Sequence, residues 1–243
     1  MKTSRTSRIS VRKQPKQQRS SQLVADILEA AIRVLQREGA QRFTTARVAE
    51  TAGVSIGSLY QYFPNKGAIL FRLQADEWQR TGGMLQSILA ERTRSPQERL
   101  RAVVTAFFRS ECEEADLRGA LNDAAPLIRD APESRELLAA GMRRVSLFMR
   151  ETIPGLSKAE RGRAADIIMM SLSSVGKQVS EQGLSPAEVD RLASAMGDMF
   201  CAYLDQLIAK SKAAGKSKGR RVAALATQKK ARQPRMAPSS SRS

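Results

Sequence analysis

The chain has 243 residues and a formal charge of +17, with 41 Lys and Arg against 24 Asp and Glu, two cysteines and no histidine. That length suits one large domain or two smaller ones around a substantial core. Without histidine the commonest general base and metal ligand are missing, and no Walker loop or dinucleotide fingerprint occurs, so we expect no enzyme, no cofactor and no metal site.

The charge is concentrated at the ends. Residues 1–20 carry Lys2, Arg5, Arg8, Arg12, Lys13, Lys16 and Arg19, residues 210–243 carry eleven more Lys and Arg, and neither stretch has an acid. Residues 22–209 are close to neutral, with 23 basic against 24 acidic. Basic stretches so poor in apolar residues cannot bury enough surface to fold alone, so a disordered arm (1–20) and a disordered tail (211–243) are expected. Both can still hold DNA phosphates without regard to sequence. The N-terminus lacks the apolar region of a secretory signal; it resembles an Arg/Ser-rich transit peptide, but the C-terminus has the same bias and no such explanation. No apolar run is long enough to span a membrane. Cys112 and Cys201 lie far apart and are expected to be buried free thiols in a reducing cytoplasm.

Between the ends, apolar residues recur at helical spacing and never alternate as in a strand, which predicts an all-α fold of about nine helices. The first runs from about Ser21 to Glu38 with Leu23, Val24, Ile27, Leu28, Ala31, Val34 and Leu35 inward, and Gly39 stands where a glycine would end it. Thr44 or Thr45 can cap a second, short helix that buries Val48, Ala49 and Ala52. Gly53 suits a left-handed turn, and Ser55 can cap a third helix over Ile56–Phe63. Asn65 can cap a long fourth helix through Ile69, Leu70, Leu73, Trp78 and Leu85.

Two short helices joined by a tight turn have the geometry of a helix-turn-helix, whose second helix enters the DNA major groove. Its exposed side offers Ser55, Ile56, Gly57, Ser58, Gln61 and Tyr62. Gln61 can pair with adenine and Ile56 can touch a thymine methyl. Ser55, Ser58, Tyr60 and Tyr62 can donate to phosphates, and Thr44, Thr45 and Arg47 are either helix surface or backbone contacts. Plain core packing is the alternative for Tyr60 and Tyr62 and the leading reading for Phe63. Residues 22–71 carry only five basic residues against four acids, so the N-terminal arm is expected to supply the missing positive charge, along the backbone or in the minor groove.

The pattern Thr44-Thr45-x-x-Val48-Ala49-x-x-Ala52-Gly53-Val54-Ser55-x-Gly57-Ser58-Leu59-Tyr60-x-Tyr62-Phe63-x-x-Lys66, with Ile27, Ala30, Ala31 and Gly39 before it, resembles the N-terminal signature of TetR-family (tetracycline-repressor-like) transcriptional regulators. The resemblance covers about residues 22–70. It implies a DNA-binding domain over 21–68, a phosphate-binding role for Lys66, and a helical ligand-binding and dimerisation domain over 69–210. The implied function is a sequence-specific regulator, a repressor released by a small-molecule effector of unknown identity. It would act as a homodimer on pseudo-palindromic operator DNA in the cytoplasm, at the bacterial nucleoid and without a membrane. The alternative is a ligand-independent architectural DNA-binding protein that uses its basic ends.

Five more helices follow: about Pro96–Ala115, Leu117–Ile128, Pro132–Thr152, Lys158–Gln182 and Pro186–Lys210. Lys158–Gln182 is apolar or small nearly all round its middle, the mark of a helix buried on more than one face. In such a family the last two helices form the interface with a partner subunit, which implies Met169, Leu172, Val175, Leu192, Met196, Met199 and Tyr203. The effector would lie among the central helices, near Trp78, Phe107, Phe108, Glu111, Met142, Phe148 and Met149. Glu111 extends the Phe107/Phe108 stripe and could orient a ligand, or could be a solvated helix end.

Overall fold

The computed structural model describes residues 18–128 and 132–231, with backbone alone for 18 and 214–231. Among these residues the chain forms nine α-helices and no strand: α1 Gln18–Arg42, α2 Thr45–Ala52, α3 Ile56–Tyr62, α4 Lys66–Ala90, α5 Pro96–Glu113, α6 Ala115–Ala124, α7 Pro132–Thr152, α8 Lys158–Ser180 and α9 Pro186–Ala231. A short 3-10 turn, Ala125–Leu127, ends α6 earlier than the apolar pattern suggested.

Two cores organise the molecule. The head packs Ile27, Val34 and Leu35 of α1, Val48 of α2, Leu59 and Phe63 of α3 and its flank, and Ile69 and Leu70 of α4. The body packs Val104 and Phe108 of α5, Met149 of α7, Ile168 and Leu172 of α8, and Phe200 and Leu204 of α9. The long α4 belongs to both, with its first turns in the head and Leu89 against the body core. At its far end Arg99 of α5, almost fully buried, donates to the Leu89 carbonyl at 2.6 Å and to Glu151 of α7 at 2.5 Å, above the Phe148 ring.

The helix starts are set by local chemistry. Ser95, Ser157 and Ser185 each cap a body helix while Glu98, Glu160 and Glu188 reach back to the capping backbone N–H at 2.7–2.9 Å. These reciprocal bonds satisfy two otherwise orphaned donors at each start. They also hold all three glutamate carboxyls below their usual range, chiefly through the bond from the serine hydroxyl.

The helix of α1 proper stops at Gly39, where φ is 74° and ψ is 169°, and a separate helical turn follows. Only glycine enters that region readily. A Cβ there would meet nothing within 4 Å, so strain alone opposes substitution. Gly39→Ala is therefore expected to lower stability by about 1–3 kcal/mol in urea denaturation; an unchanged midpoint would show that the kink relaxes at no cost.

α9 runs on into the basic stretch that begins at Lys210. The helix passes Lys210 and reaches Ala231; Ala, Lys and Arg make up most of this stretch and all favour helix. Residues 1–17 of the N-terminal arm, and residues 232–243, lie outside the described residues.

Candidate nucleic-acid interface

The turn between α2 and α3 is fixed by its backbone. Gly53 is left-handed, with φ 67° and ψ 29°. Its N–H bonds the Glu50 carbonyl at 3.1 Å, and the Val54 N–H bonds the Ala49 carbonyl at 3.0 Å. This is a Schellman closure, in which a C′ glycine satisfies the last carbonyls of the helix. The two helices and the next one begin on side-chain caps: Thr44 accepts from the Arg47 N–H at 3.3 Å, Ser55 from the Ser58 N–H at 3.0 Å, and Asn65 from the Ala68 N–H at 2.9 Å. The Thr45 and Tyr60 hydroxyls meet at 3.1 Å and tie α2 to α3.

Leu59 and Phe63 are fully buried, which locks the inner face of α3 to the head. The outer face is open: Ile56 is 42% exposed and Tyr60 41%, with Ser55, Gly57 and Gln61 also exposed and Ser58 half-buried. Thr44 is exposed beside it, and Thr45 and Lys66 are half-buried at its edge. Tyr62 departs from expectation. It is 4% exposed and belongs to the head core, because it follows Leu59 by three residues on the same inward stripe. It therefore leaves the set of side chains available to DNA. Arg47 is held by Glu38, whose carboxyl stays below its usual range through its bond from Arg37 and the nearby arginines. Arg47 also donates to the Arg42 carbonyl at 3.1 Å, so its guanidinium braces the α1–α2 junction.

An exposed second helix of a helix-turn-helix, held on an all-α body, has the geometry that enters a DNA major groove. A family model described as bacterial regulatory proteins, tetR family, matches residues 27–73, and one described as Tetracyclin repressor-like, C-terminal domain, matches residues 95–207. The chain belongs to the TetR family. It is 28% identical over 124 residues to the HTH-type transcriptional repressor KstR of Rhodococcus jostii, covering 51% of this chain and 57% of that protein. It is 29% identical over 83 residues to the HTH-type transcriptional regulator BetI of Brucella anthropi, covering 34% and 42%. The chain spans about half the length of the curated relatives it matches. Among solved structures, the transcriptional regulator FadR from Bacillus subtilis in complex with stearoyl-CoA has the same fold. Its TM-score is 0.60 at 18% identity, covering 72% of this chain and 96% of that one.

The residues expected around an effector separate into three groups. Phe108, Phe148 and Met149 are sealed in the body core, whereas Met142 is 39% exposed on the outside of α7. Trp78 and Phe107 are half-buried, and the Phe107 ring lies so close to Gly176 of α8 that a Cβ there would stand 2.7 Å from Cε1. Glu111 is neither a solvated helix end nor a free ligand group. It is buried against Arg118 of α6, which also reaches Glu77 of α4 at 2.9 Å and Glu114 at 3.2 Å. Arg118 donates further to the Thr81 and Ser110 hydroxyls at 2.8 and 2.6 Å. Burial pushes the Glu77 carboxyl above its usual range despite Arg118 and Thr81. Two clefts open elsewhere among the described residues. One of about 570 Å³ is lined by Leu28, Ile32, Leu73, Arg72, Asp76 and Arg80, at the junction of α1 and α4.

On α8 and α9 an apolar face stays open. Ile167 is 51% exposed, Met170 71%, Leu192 42% and Met199 53%. Met169, Val175, Met196 and Tyr203 are half-buried. Leu172 is a correction: at 2% exposure it fills the body's own core, on the inward stripe with Ile168. Ile167 and Met170 take the outward stripe instead. Their signal was the apolar character of α8 on every side, which leaves the inward face undecided until the neighbouring helices are placed. Both cysteines are free, Cys201 buried and Cys112 half-buried, and burial raises both thiols above their usual range.

Proposed function

We propose that the protein represses transcription from a pseudo-palindromic operator, which it binds as a homodimer through α3, and that a small-molecule effector taken up by the body releases it. The observation that carries this reading is the outer face of α3, where Ile56, Gly57, Tyr60 and Gln61 are exposed while Leu59 and Phe63 lock the inner face to the head. Gln61 and Ile56 meet base edges, with adenine and a thymine methyl as their partners. Thr44, Thr45, Ser55, Ser58, Tyr60 and Lys66 hold phosphates, Gly57 lets the backbone come close, and Arg47 joins them where DNA competes with Glu38. The open face of Ile167, Met170, Leu192 and Met199 supports pairing with a second copy, which would present two copies of α3 to two half-sites. Trp78 and Phe107, neither sealed in the core nor on the outer surface, are the best placed of the candidate effector contacts. The site of action is the bacterial cytoplasm, at the nucleoid.

Selection of bound duplexes from a random pool tests this reading. The expected product is a short palindrome with half-sites about one helical turn or a small multiple apart. Uniform retention without a preferred sequence would instead make the protein an architectural DNA-coating protein.

A further inference from the structure

The direction of α9 follows from its contacts with α5. Arg109 meets Asp190 at 2.8 Å, Arg101 meets Asp198 at 2.7 Å, and Gln97 donates to Asp205 at 3.2 Å. Numbers fall along α5 as they rise along α9, so the two helices are antiparallel. α5 starts beside the far end of α4, where Arg99 holds the Leu89 carbonyl. It ends near the head, where Cys112 and Glu113 share a cleft with Gln36 of α1. α9 therefore climbs away from α3. At Ser211 it has reached the turn between α7 and α8, for a Cβ on Gly155 would stand 2.5 Å from the Ser211 hydroxyl. The helix then continues from Lys212 to Ala231, about 30 Å at ~1.5 Å per residue.

The charge of this extension is of one sign. Residues 210–231 carry Lys210, Lys212, Lys216, Lys218, Arg220, Arg221, Lys229 and Lys230, with no acid. Val222 and Leu225 are their only apolar residues larger than alanine. The extension thus lacks the apolar face that seats a helix in a lipid interface or a partner's groove. Positive charge without such a face is complementary to the nucleic-acid backbone, where binding is sequence-independent and driven by counterion release. The duplex under α3 is out of reach, because the length of α4, about 37 Å for its 25 residues, lies between.

We infer that residues 210–231 of α9 form a second, sequence-independent DNA-binding element that takes the backbone of a duplex other than the operator, so that one dimer bridges two DNA segments. This rests on the reading that α3 holds an operator.

The test uses the full chain, an immobilised operator duplex obtained by selection, and a labelled duplex lacking the operator sequence. Wild-type protein is expected to hold the operator and retain the labelled duplex, with retention falling steeply as salt rises. The variant K216Q/K218Q/R220Q/R221Q leaves the N-terminal basic residues intact. It should keep operator affinity within about twofold and retain at least about tenfold less labelled duplex, as loss of four phosphate contacts requires. Loss of operator affinity in step with capture would overturn the inference, since the extension would then grip the same DNA. Capture unchanged in the variant would overturn it in favour of the N-terminal arm. Displacement of the labelled duplex by phosphatidylserine vesicles, but not by competitor duplex, would make the partner a lipid surface. Operator held with no second duplex overturns the bridge alone; failure to hold the operator overturns the reading of α3 and the bridge with it.

Discussion

Met199→Glu should convert the protein to a folded monomer and weaken operator binding by about 100-fold or more, because two linked half-site contacts become two separate ones. Met199 is 53% exposed, so the change removes nothing from the core of a single subunit. In a two-fold pair each substitution occurs twice, and two carboxylates would be buried without partners at one apolar seam. Leu192→Glu should act alike, since Leu192 lies on the same open stripe. Light scattering or sedimentation gives the mass, and circular dichroism shows that the helices persist. A variant that stays dimeric with full affinity would place the subunit contact on another surface.

Arg118→Met should lower stability by about 3–5 kcal/mol, the usual cost of removing one partner from a buried charge group. Arg118 is the cation that joins Glu77 of α4, Glu111 of α5 and Glu114, and its side chain is 10% exposed. With it gone, Glu77 and Glu111 stay buried without a cation, and Glu77 keeps only its bonds from Thr81 and Gln74. The loss should shrink as pH falls, because protonation of Glu77, already raised by burial, removes its charge. Glu77 gives the wild type a pH dependence in the same direction. Its folded-state pKa lies above the usual 4.5, so its contribution to stability is full below that value and is lost as pH rises through the folded pKa. Glu77→Gln should therefore match or exceed the wild type in urea denaturation at neutral pH and flatten the pH dependence above 4.5. A loss under 1 kcal/mol for Arg118→Met, equal at every pH, would show that the group is solvated. Since α6 packs on α1 and Arg118 binds α6 to α4 and α5, the same substitution should loosen the seam between head and body.

The head was legible from sequence because its determinants are local. A cap at Thr44, Ser55 or Asn65 acts within three residues, and a left-handed glycine at 53 acts within one turn. The three body capping boxes were equally local, written as Ser95…Glu98, Ser157…Glu160 and Ser185…Glu188. What stayed hidden depends on which helices meet. Arg118 finds partners 41 and 7 positions away on two other helices, and no spacing rule connects them. Tyr60 and Tyr62 look alike in sequence, yet one faces out and the other fills the head core, because the inward stripe of a two-turn helix is set by the helices beneath it. Leu172 and Met170 of α8 exchange roles for the same reason. The continuation of α9 to Ala231 was concealed by charge, which argues against burial but not against helix.

Gln61 offers the most direct test that α3 reads sequence from its outer face. Gln61→Lys should keep the fold, because the side chain is exposed. When selection from random duplexes is repeated with this variant, one position should change in each half-site, symmetrically, from adenine toward guanine, while the remainder of the palindrome stays the same. The same consensus recovered at the same affinity, or a uniform loss across all sequences, would contradict the account.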